Sequence, residues 1–331
     1  MSAKKRHEVE HLAAFISHVA RSAGVNNLID LGAGQGYLSS VLALRYGHNV
    51  LGVDTDPVQT SGAIRRRATL FKRVRHKMES PGRLMYLNKH MTATDTFNES
   101  VDWSAERWGL IGLHTCGDLS PITLRMWEAS SATLVINVGC CYNHISEETP
   151  DTGPVTPGFP MSQAVAAHNV HLGWTAKMLA CQSTCRWTTQ GDRAKEAFRR
   201  HVYRALLQEW LVSATGGVSP VVSVHTSKVR RGGLPTFAMY WREAVGALLR
   251  DHGPTADIEA WYSRRIAEGA LKQIALVWTL RAMMAEAIES LILVDRYMWV
   301  REQQSVQRTV LFPLFDHVES PRNCVIVGIK Q

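Results

Sequence analysis

Cysteine is scarce in this chain: six thiols in 331 residues are too few for a disulfide-stabilised scaffold. The N-terminal residues are basic and polar, so they lack the apolar core of a secretory signal. Both observations predict free thiols in a reducing compartment. We therefore expect an intracellular protein, cytoplasmic or nuclear.

Proline is also infrequent, with 12 residues, whereas 45% of the chain is hydrophobic and 20% is charged. This composition excludes disordered, collagen-like and low-complexity classes and predicts a globular protein with a sizeable core. Long uncharged apolar runs are lacking as well. The apolar stretch Leu271–Trp299 contains charged residues such as Lys272 and Asp295, and Trp210–Ser227 contains glycine and proline. The sequence therefore predicts no contact with a membrane.

Acidic residues are outnumbered: 29 Asp and Glu against 37 Lys and Arg give a formal charge of +8. The segment from Ser61 to Lys77 has no acid and includes the run Arg65, Arg66 and Arg67, and a second basic run spans Lys228–Arg231. Such clusters indicate either an acidic partner such as RNA or a solvated helix face.

The hydrophobic pattern predicts alternating helices and strands. A helix is expected at Val9–Val19, and short apolar runs indicate strands at Asn27–Leu31, Asn49–Val53, Arg83–Leu87, Gly109–Leu113 and Thr133–Val138. Helices are expected between them at Tyr37–Tyr46, Pro57–Lys77 and Ser120–Ser130. This alternation is typical of an α/β, Rossmann-like fold with a mostly parallel, twisted sheet.

The later part of the chain predicts a different organisation. We expect an N-terminal helix and Rossmann-like core over residues 1–150, a mainly helical insertion over 151–265, and a return to the core over 266–331. The last region contains a long helix, Ile266–Gln303, and two β-rich runs that predict an antiparallel hairpin, Thr309–Phe315 and Cys324–Ile329.

A glycine-rich turn is the most informative segment. Asp30 lies in an apolar strand that runs into Gly32, Gly34 and Gly36 and then a helix. Glycine lets the backbone approach a ligand closely, and the helix N-terminus offers free N–H groups. In the next predicted strand, the carboxylate of Asp54 follows an apolar run and can accept hydrogen bonds from ribose hydroxyls. The segment predicts a nucleotide-like ligand.

The spacing of the turn favours one ligand class. Dinucleotide-binding proteins have glycine or alanine directly after the position of Gly36, where this chain has Tyr37. A dehydrogenase is therefore the poorer alternative, and a glycine turn that binds no ligand leaves the two carboxylates unexplained. The pattern resembles the first two motifs of class I S-adenosylmethionine-dependent methyltransferases. The residues expected to bind S-adenosylmethionine are Asp30, Gly32, Gly34, Gly36, Tyr37 and Asp54.

Two further strands end in residues with reactive side chains. Ligands of a doubly wound sheet bind outside the carboxyl ends of its strands, so these side chains should face the glycine turn. They are candidates for catalysis, although buried cysteines and histidines also serve as ordinary core residues. The catalytic candidates are His114, Cys116, Asp118, Cys140, Cys141 and Tyr142.

Several motifs, in one order along nearly the whole chain, resemble the methyltransferase-like protein 25 family. They are Lys4-Lys5 with His7-Glu8, His114 to Leu119, Asn137 to Tyr142, Phe159 to Ser162, Pro313 to Asp316 and Ser320 to Asn323. The family includes members labelled as ribosomal RNA adenine dimethylase domain-containing. The resemblance implies a class I fold and methyl transfer but does not define the substrate. RNA or a ribosomal or other protein is the expected partner, and the basic segments place RNA slightly ahead. The motifs at the two strand ends are also similar, more distantly, to a tRNA 2′-O-methyltransferase family.

The candidate residues leave several chemistries open. Methylation of an exocyclic amine uses a proline- and aromatic-containing element after the fourth strand, which His114-Thr115-Cys116-Gly117 lacks, so the sequence does not favour the adenine assignment. Methylation of a pyrimidine at C5 would need a cysteine nucleophile. This could be Cys116, with Cys140 or Cys141 as the resolving thiol. A zinc site is disfavoured, because adjacent cysteines do not easily reach one tetrahedral ion and paired Cys-x-x-Cys motifs are lacking.

Methyl transfer from a sulfonium needs alignment and, for many acceptors, a base. His114 is the best candidate base, and Asp118 could orient it or instead cap the following helix. Tyr142 and Asn143 are expected to shape the acceptor pocket. The sequence therefore predicts a methyltransferase acting on a macromolecule, with RNA ahead of protein. The alternative is an S-adenosylmethionine-binding interaction module without turnover.

Overall fold

The structure is a computed structural model of the 331-residue chain. It describes residues 1–74, 80–95, 97, 107–147, 158–184, 191–214, 236–245 and 258–331. The predicted basic run Lys228–Arg231 and the predicted end of a helix at Lys77 lie outside these ranges.

Seven strands form one sheet in the order β3-β2-β1-β4-β5-β7-β6. Their bounds are Asn27–Leu31 (β1), Asn49–Asp54 (β2), Leu84–Asn88 (β3), Trp108–Cys116 (β4), Leu134–Cys140 (β5), Val306–Pro313 (β6) and Cys324–Lys330 (β7). Strands β1 to β5 pair in parallel, whereas β7 pairs antiparallel with both β5 and β6. The predicted Rossmann-like fold, with its C-terminal antiparallel hairpin, is confirmed.

The helices alternate with the parallel strands and then continue through the second half of the chain. Their bounds are Ala3–Ser22 (α1), Tyr37–Tyr46 (α2), Pro57–Val74 (α3), Leu119–Ala129 (α4), Gln163–Ala166 (α5), Gly173–Ala180 (α6), Asp192–Ala214 (α7), Phe237–Val245 (α8), Ile258–Ala267 (α9) and Ala270–Glu302 (α10). A short 3-10 helix covers Tyr142–His144. Of the described helices, none is long and apolar enough to cross a membrane.

Helices cover both faces of the sheet, which explains why β1 and β5 are buried along their whole length. Helix α1 contributes apolar residues at helical spacing, such as Leu12 and Ile16, to the core on one face. Helix α4 contributes Leu124 and Trp127 to the core on the other face. Each large apolar side chain buried in this way stabilises the fold by about 1.5–3 kcal/mol.

Helix α1 begins six residues before the predicted start at Val9. Its first turn is capped by Ser2, whose hydroxyl oxygen accepts a hydrogen bond from the backbone N–H of Lys5 at 3.3 Å. The apolar periodicity starts only at Val9, so the pattern did not reveal the polar first turns. Those turns carry Glu8, which becomes important for the site.

Strands β4 and β5 extend beyond their predicted ends at Leu113 and Val138. The pairing shifts between Leu113 and Thr115, because His114 takes a left-handed backbone conformation with φ of +62° and forms a bulge. Pairing then resumes, with Cys116 opposite Cys140. The two candidate thiols therefore lie side by side within the sheet.

The chain divides into two compact units, residues 1–185 with 284–331, and residues 186–283. The first unit contains the sheet. The second is helical, and its core holds an aromatic cluster of Tyr203, Phe237, Tyr240, Trp241 and Tyr262. The predicted domain limits at residues 150 and 265 differ from these boundaries and stay predictions.

Candidate active site

The glycine turn between β1 and α2 is held against β2 by backbone hydrogen bonds. The N–H groups of Gly32 and Ala33 both donate to the carbonyl oxygen of Val53, at 2.9 and 3.0 Å. Gly32, Gly34 and Gly36 have φ values of +72°, +55° and +69°, a region that other residues rarely adopt. Glycine is therefore required here for the backbone conformation itself.

The turn and the acid at the end of β2 are in direct contact. The N–H of Gly34 donates to Oδ2 of Asp54 at 2.8 Å, and the N–H of Asp56 donates to Oδ1 at 2.9 Å. Each carboxylate oxygen has a further lone pair for a ligand hydroxyl. A Cβ atom on Gly34 would meet only the carbonyl oxygen of Gly32, at 4.0 Å, so the backbone faces open space there. The residues present thus fit an adenosine-type ligand.

Gly36 has a different role. A Cβ atom at this position would lie 2.1 Å from the hydroxyl oxygen of Tyr86, which donates a hydrogen bond to the Gly36 carbonyl at 3.3 Å. Gly36 is therefore needed so that Tyr86, on β3, can pack under the turn. Sequence reasoning missed Tyr86, because nothing in the pattern of β3 marks one aromatic residue as a partner of the turn.

Asp30 is buried, with 1% of its surface exposed, and does not present its carboxylate to solvent. The hydroxyl of Ser39, on α2, donates to its Oδ2 at 2.5 Å. Burial raises the pKa of Asp30 to about 7; the Ser39 hydrogen bond opposes this increase and the charge of Asp54 adds to it. Asp30 thus ties the strand before the turn to the helix after it.

Tyr37 lies between two cations. The Lys5 ammonium is 4.9 Å from the ring centroid and the Arg66 guanidinium is 4.0 Å from it. Arg66 also donates from Nε to the carbonyl oxygen of Gln35 at 3.2 Å. One arginine of the predicted basic helix therefore supports the glycine turn and is not a free surface charge.

His114 is paired with a carboxylate that sequence reasoning missed. Its Nε2 lies 2.9 Å from Oε2 of Glu8, and the hydroxyl of Ser320 donates to Oε1 of the same carboxylate at 2.6 Å. Glu8 is 1% exposed, whereas the His114 side chain is 31% exposed. Burial alone would raise the pKa of Glu8, but the hydrogen bonds from His114 and Ser320 and the charges of His114 and Lys4 lower it on balance. Glu8 therefore orients the imidazole.

A signal for this pair was present in the sequence. Glu8 and Ser320 both belong to motifs that carry the resemblance to methyltransferase-like protein 25, at opposite ends of the chain. The structure brings the two motifs together at His114, which belongs to a third.

Asp118 fills neither of its two predicted roles. It stands at the start of α4 but makes no side-chain capping hydrogen bond there, and Glu8 takes the place predicted for it beside His114. Its Oδ1 accepts hydrogen bonds from the backbone N–H and the hydroxyl of Ser146, at 2.8 and 3.2 Å. Asp118 fixes the segment after β5, because that segment passes close to the start of α4.

Three of the predicted thiols form a cluster. Sγ of Cys116 lies 3.2 Å from Sγ of Cys140, which lies 3.7 Å from Sγ of Cys141. Cys116 is exposed, Cys141 is half-buried and Cys140 is buried. A hydrogen bond from Cys140 lowers the pKa of Cys116 to about 6, despite partial burial, and the same contact with burial raises the pKa of Cys140. Cys116 is the thiol of this cluster that is open to reagents.

Tyr142 does not line an open pocket, contrary to the expectation from sequence. It is 1% exposed, and its hydroxyl donates to Oε1 of Glu289 at 3.0 Å. Two guanidinium groups, of Arg296 and Arg322, each lie 5.7 Å from the ring centroid. Burial raises the pKa of Tyr142 well above its ordinary value. Tyr142 belongs to the core because the 3-10 helix after β5 turns its side chain inward toward α10.

An open groove of about 1110 Å³ lies between α1 and the terminal hairpin. Phe15, Phe312 and Arg308 are among its lining residues, as are Gly24 and Arg107, which precede β1 and β4. The groove is therefore at the amino ends of these strands, whereas the glycine turn is at their carboxyl ends. It does not coincide with the predicted donor site.

Comparisons with known proteins find a methyltransferase domain in the first part of the chain. A family model described as a methyltransferase domain matches residues 4–148. "Probable methyltransferase-like protein 25" of Mus musculus is 25% identical over 459 aligned positions, which take in 100% of this chain and 75% of the relative. The protein of the same name from Homo sapiens is 24% identical over 460 positions, with the same coverage.

Among solved structures, magnesium protoporphyrin IX methyltransferase from Synechocystis PCC 6803 with bound SAH is 17% identical. It matches with a TM-score of 0.29 over 40% of this chain and 55% of that chain. The chain therefore carries a methyltransferase domain over residues 4–148, and over its full length it is similar to methyltransferase-like protein 25.

Proposed function

We propose that this protein binds S-adenosylmethionine at the Gly32–Gly36 turn and transfers its methyl group to RNA. The observation that carries the donor site is the hydrogen bond from Gly34 to Asp54, which places the open glycine backbone beside a carboxylate at the carboxyl edge of the sheet. Asp54 would accept hydrogen bonds from the ribose hydroxyls. Asp30 and Tyr37 would act through the turn, Asp30 from its buried contact with Ser39 and Tyr37 from its stack with Arg66.

The donor supplies a methyl group on a positively charged sulfur, which departs as a neutral thioether. The protein's contribution is therefore to align an acceptor and to remove its proton. His114 is the proposed base, since Glu8 engages Nε2 and leaves Nδ1 to take a proton from the acceptor. Glu8 is a positioning residue, which fixes the orientation of the imidazole.

RNA is the proposed acceptor because α3 presents cations to solvent. Arg65, Lys72 and Arg73 are exposed, and the middle of the same helix adjoins the glycine turn through Arg66. Arg67 is engaged, since it donates to the carbonyl oxygen of Leu84 at 2.7 Å. The three exposed residues are therefore the ones expected to contact phosphates.

Calorimetry with S-adenosylmethionine and its demethylated product tests the donor site. Gly34→Val and Asp54→Ala should abolish the binding heat. Gly173→Val is a matched control, because Gly173 also has a positive φ, +67°, and faces open space. No heat with the folded wild-type chain would refute the donor site, and loss of binding in the Gly173 control would show only general destabilisation.

Transfer of labelled methyl groups tests the acceptor and the base. With cellular RNA and protein fractions, the label should be released by nuclease and survive protease. His114→Ala should retain donor binding but lower turnover by about 10²- to 10⁴-fold. Label that enters protein instead would support a protein methyltransferase, and binding without any transfer would support the interaction module.

A further inference from the structure

The cysteine cluster at the ends of β4 and β5 is not used by the proposed reaction. Cys116 and Cys140 are directly opposite each other in the paired strands, and Cys141 follows at the first residue beyond β5. Their three sulfur atoms all lie within 4.8 Å of one another.

Two unusual backbone conformations produce this arrangement. Successive residues of an extended chain point to opposite sides, which is why adjacent cysteines seldom share an ion. Cys141, however, has a left-handed conformation with φ of +52°, and its sulfur lies only 3.7 Å from that of Cys140. His114 also has a left-handed conformation, and the bulge there shifts the register by one residue. Cys116 therefore lies opposite Cys140. The sequence-based objection to a metal site therefore does not hold in the folded chain.

The sulfur separations match those of a metal-thiolate centre. With Zn–S bonds of about 2.3 Å, tetrahedral geometry places neighbouring sulfurs about 3.8 Å apart. The separations here are 3.2 Å for Cys116 and Cys140 and 3.7 Å for Cys140 and Cys141, and the third pair lies within 4.8 Å, so an ion requires shifts of up to about 1 Å. Such shifts are within the reach of side-chain rotation at the exposed Cys116.

We propose that Cys116, Cys140 and Cys141 form a three-thiolate site for one thiophilic divalent cation such as Zn²⁺. Because Cys116 is exposed, the fourth coordination position is accessible from solvent. Three protein ligands with one open position are typical of zinc sites that exchange a ligand during function. The site lies at the same carboxyl edge of the sheet as the glycine turn but shares no residue with it.

A disulfide between Cys116 and Cys140 is the competing arrangement. It would leave Cys141 without a role and would require the two sulfurs to approach from 3.2 Å to about 2.05 Å with loss of two electrons to an oxidant. The same experiment distinguishes the two arrangements.

Reduced, chelator-treated protein should be titrated with Co²⁺ as a spectroscopic probe. We expect one Co²⁺ per chain, thiolate-to-cobalt charge-transfer absorption, intense visible bands of tetrahedral coordination, and displacement by Zn²⁺. Loss of an outer-shell partner alone lowers metal affinity by about 10- to 100-fold, so loss of a thiolate in Cys116→Ser should lower it by at least about 100-fold. This variant is chosen first because an exposed residue is least needed for folding.

Cys324→Ser is the matched control, since Cys324 is a free thiol on β7 outside the cluster. It should keep the wild-type spectrum and stoichiometry, and Cys141→Ser should behave like Cys116→Ser. The proposal is wrong if reduced wild-type protein binds no Co²⁺ or Zn²⁺, if the Cys116 variant keeps the full spectrum, or if freshly isolated protein holds a Cys116–Cys140 disulfide and no metal. Donor calorimetry on the same samples is independent of all three outcomes.

Discussion

The buried carboxyl of Asp30 predicts a specific dependence of folding stability on pH. Asp30 ionises in the unfolded chain near its ordinary pKa of 3.8, but in the folded protein burial raises the pKa to about 7. Between these values the unfolded state releases a proton that the folded state keeps. The free energy of unfolding should therefore decrease as pH rises from about 4 to 7 and then level off.

The magnitude follows from the two pKa values. Each pH unit between them corresponds to 1.36 kcal/mol, so ionisation of Asp30 lowers stability by at most about 4 kcal/mol above pH 7. Asp30→Asn keeps an oxygen that can accept the Ser39 hydrogen bond but cannot ionise. Between pH 5 and 8, the stability of this variant relative to wild type should increase by about 2.5 kcal/mol.

Urea unfolding of donor-free protein at several pH values measures this difference. Asp192→Asn serves as the control, because that carboxylate is 97% exposed and its removal should leave the pH profile parallel to wild type. Asp54→Asn should reduce the pH dependence, since the charge of Asp54 helps to raise the pKa of Asp30. Parallel profiles for wild type and Asp30→Asn would show that Asp30 is ionised in the folded protein and would refute the argument from burial.

Three further predictions test other contacts. Glu8→Gln should leave donor affinity unchanged but reduce turnover, by less than the approximately 10²- to 10⁴-fold expected for loss of the base itself; unchanged turnover would reject the positioning role. Arg65→Glu combined with Lys72→Glu should weaken RNA binding across sequences and reduce the slope of log affinity against log salt by about two. If the double variant binds RNA as tightly as the wild type, α3 does not contact the RNA. Lys330→Met should lower the free energy of unfolding by about 2–3 kcal/mol in urea titrations, because the buried ammonium donates to three backbone carbonyls at the end of α4; a change below about 0.5 kcal/mol would contradict this.

The geometry of the proposed donor site could be predicted from sequence because it depends on short segments. The conformation of the turn is set by glycines two residues apart, and Asp54 ends the strand paired with β1. Parallel topology then places both at one edge of the sheet. Neither inference requires a contact between residues far apart in the chain.

The partners of the candidate catalytic residues could not be predicted in this way. Asp118 was the natural partner for His114 because it follows four positions later, yet the carboxylate that binds the imidazole is Glu8, 106 residues earlier. The thiol cluster depends on left-handed backbone at Cys141, a conformation that costs about 1–2 kcal/mol in a residue other than glycine. The backbone preference of cysteine disfavours a positive φ, so the sequence alone does not predict this conformation at Cys141.

Glu8 explains why motifs at opposite ends of the chain are needed together. A carboxylate this deeply buried loses several kcal/mol of hydration unless charged or hydrogen-bonding groups replace the lost water. His114 at the end of β4 and Ser320 before β7 provide that replacement, so α1 can bury Glu8 only when both segments are in place. The same contacts that make the carboxylate tolerable in the core hold the imidazole in one orientation at the edge of the sheet. Formation of the fold and preorganisation of the proposed base are therefore one event.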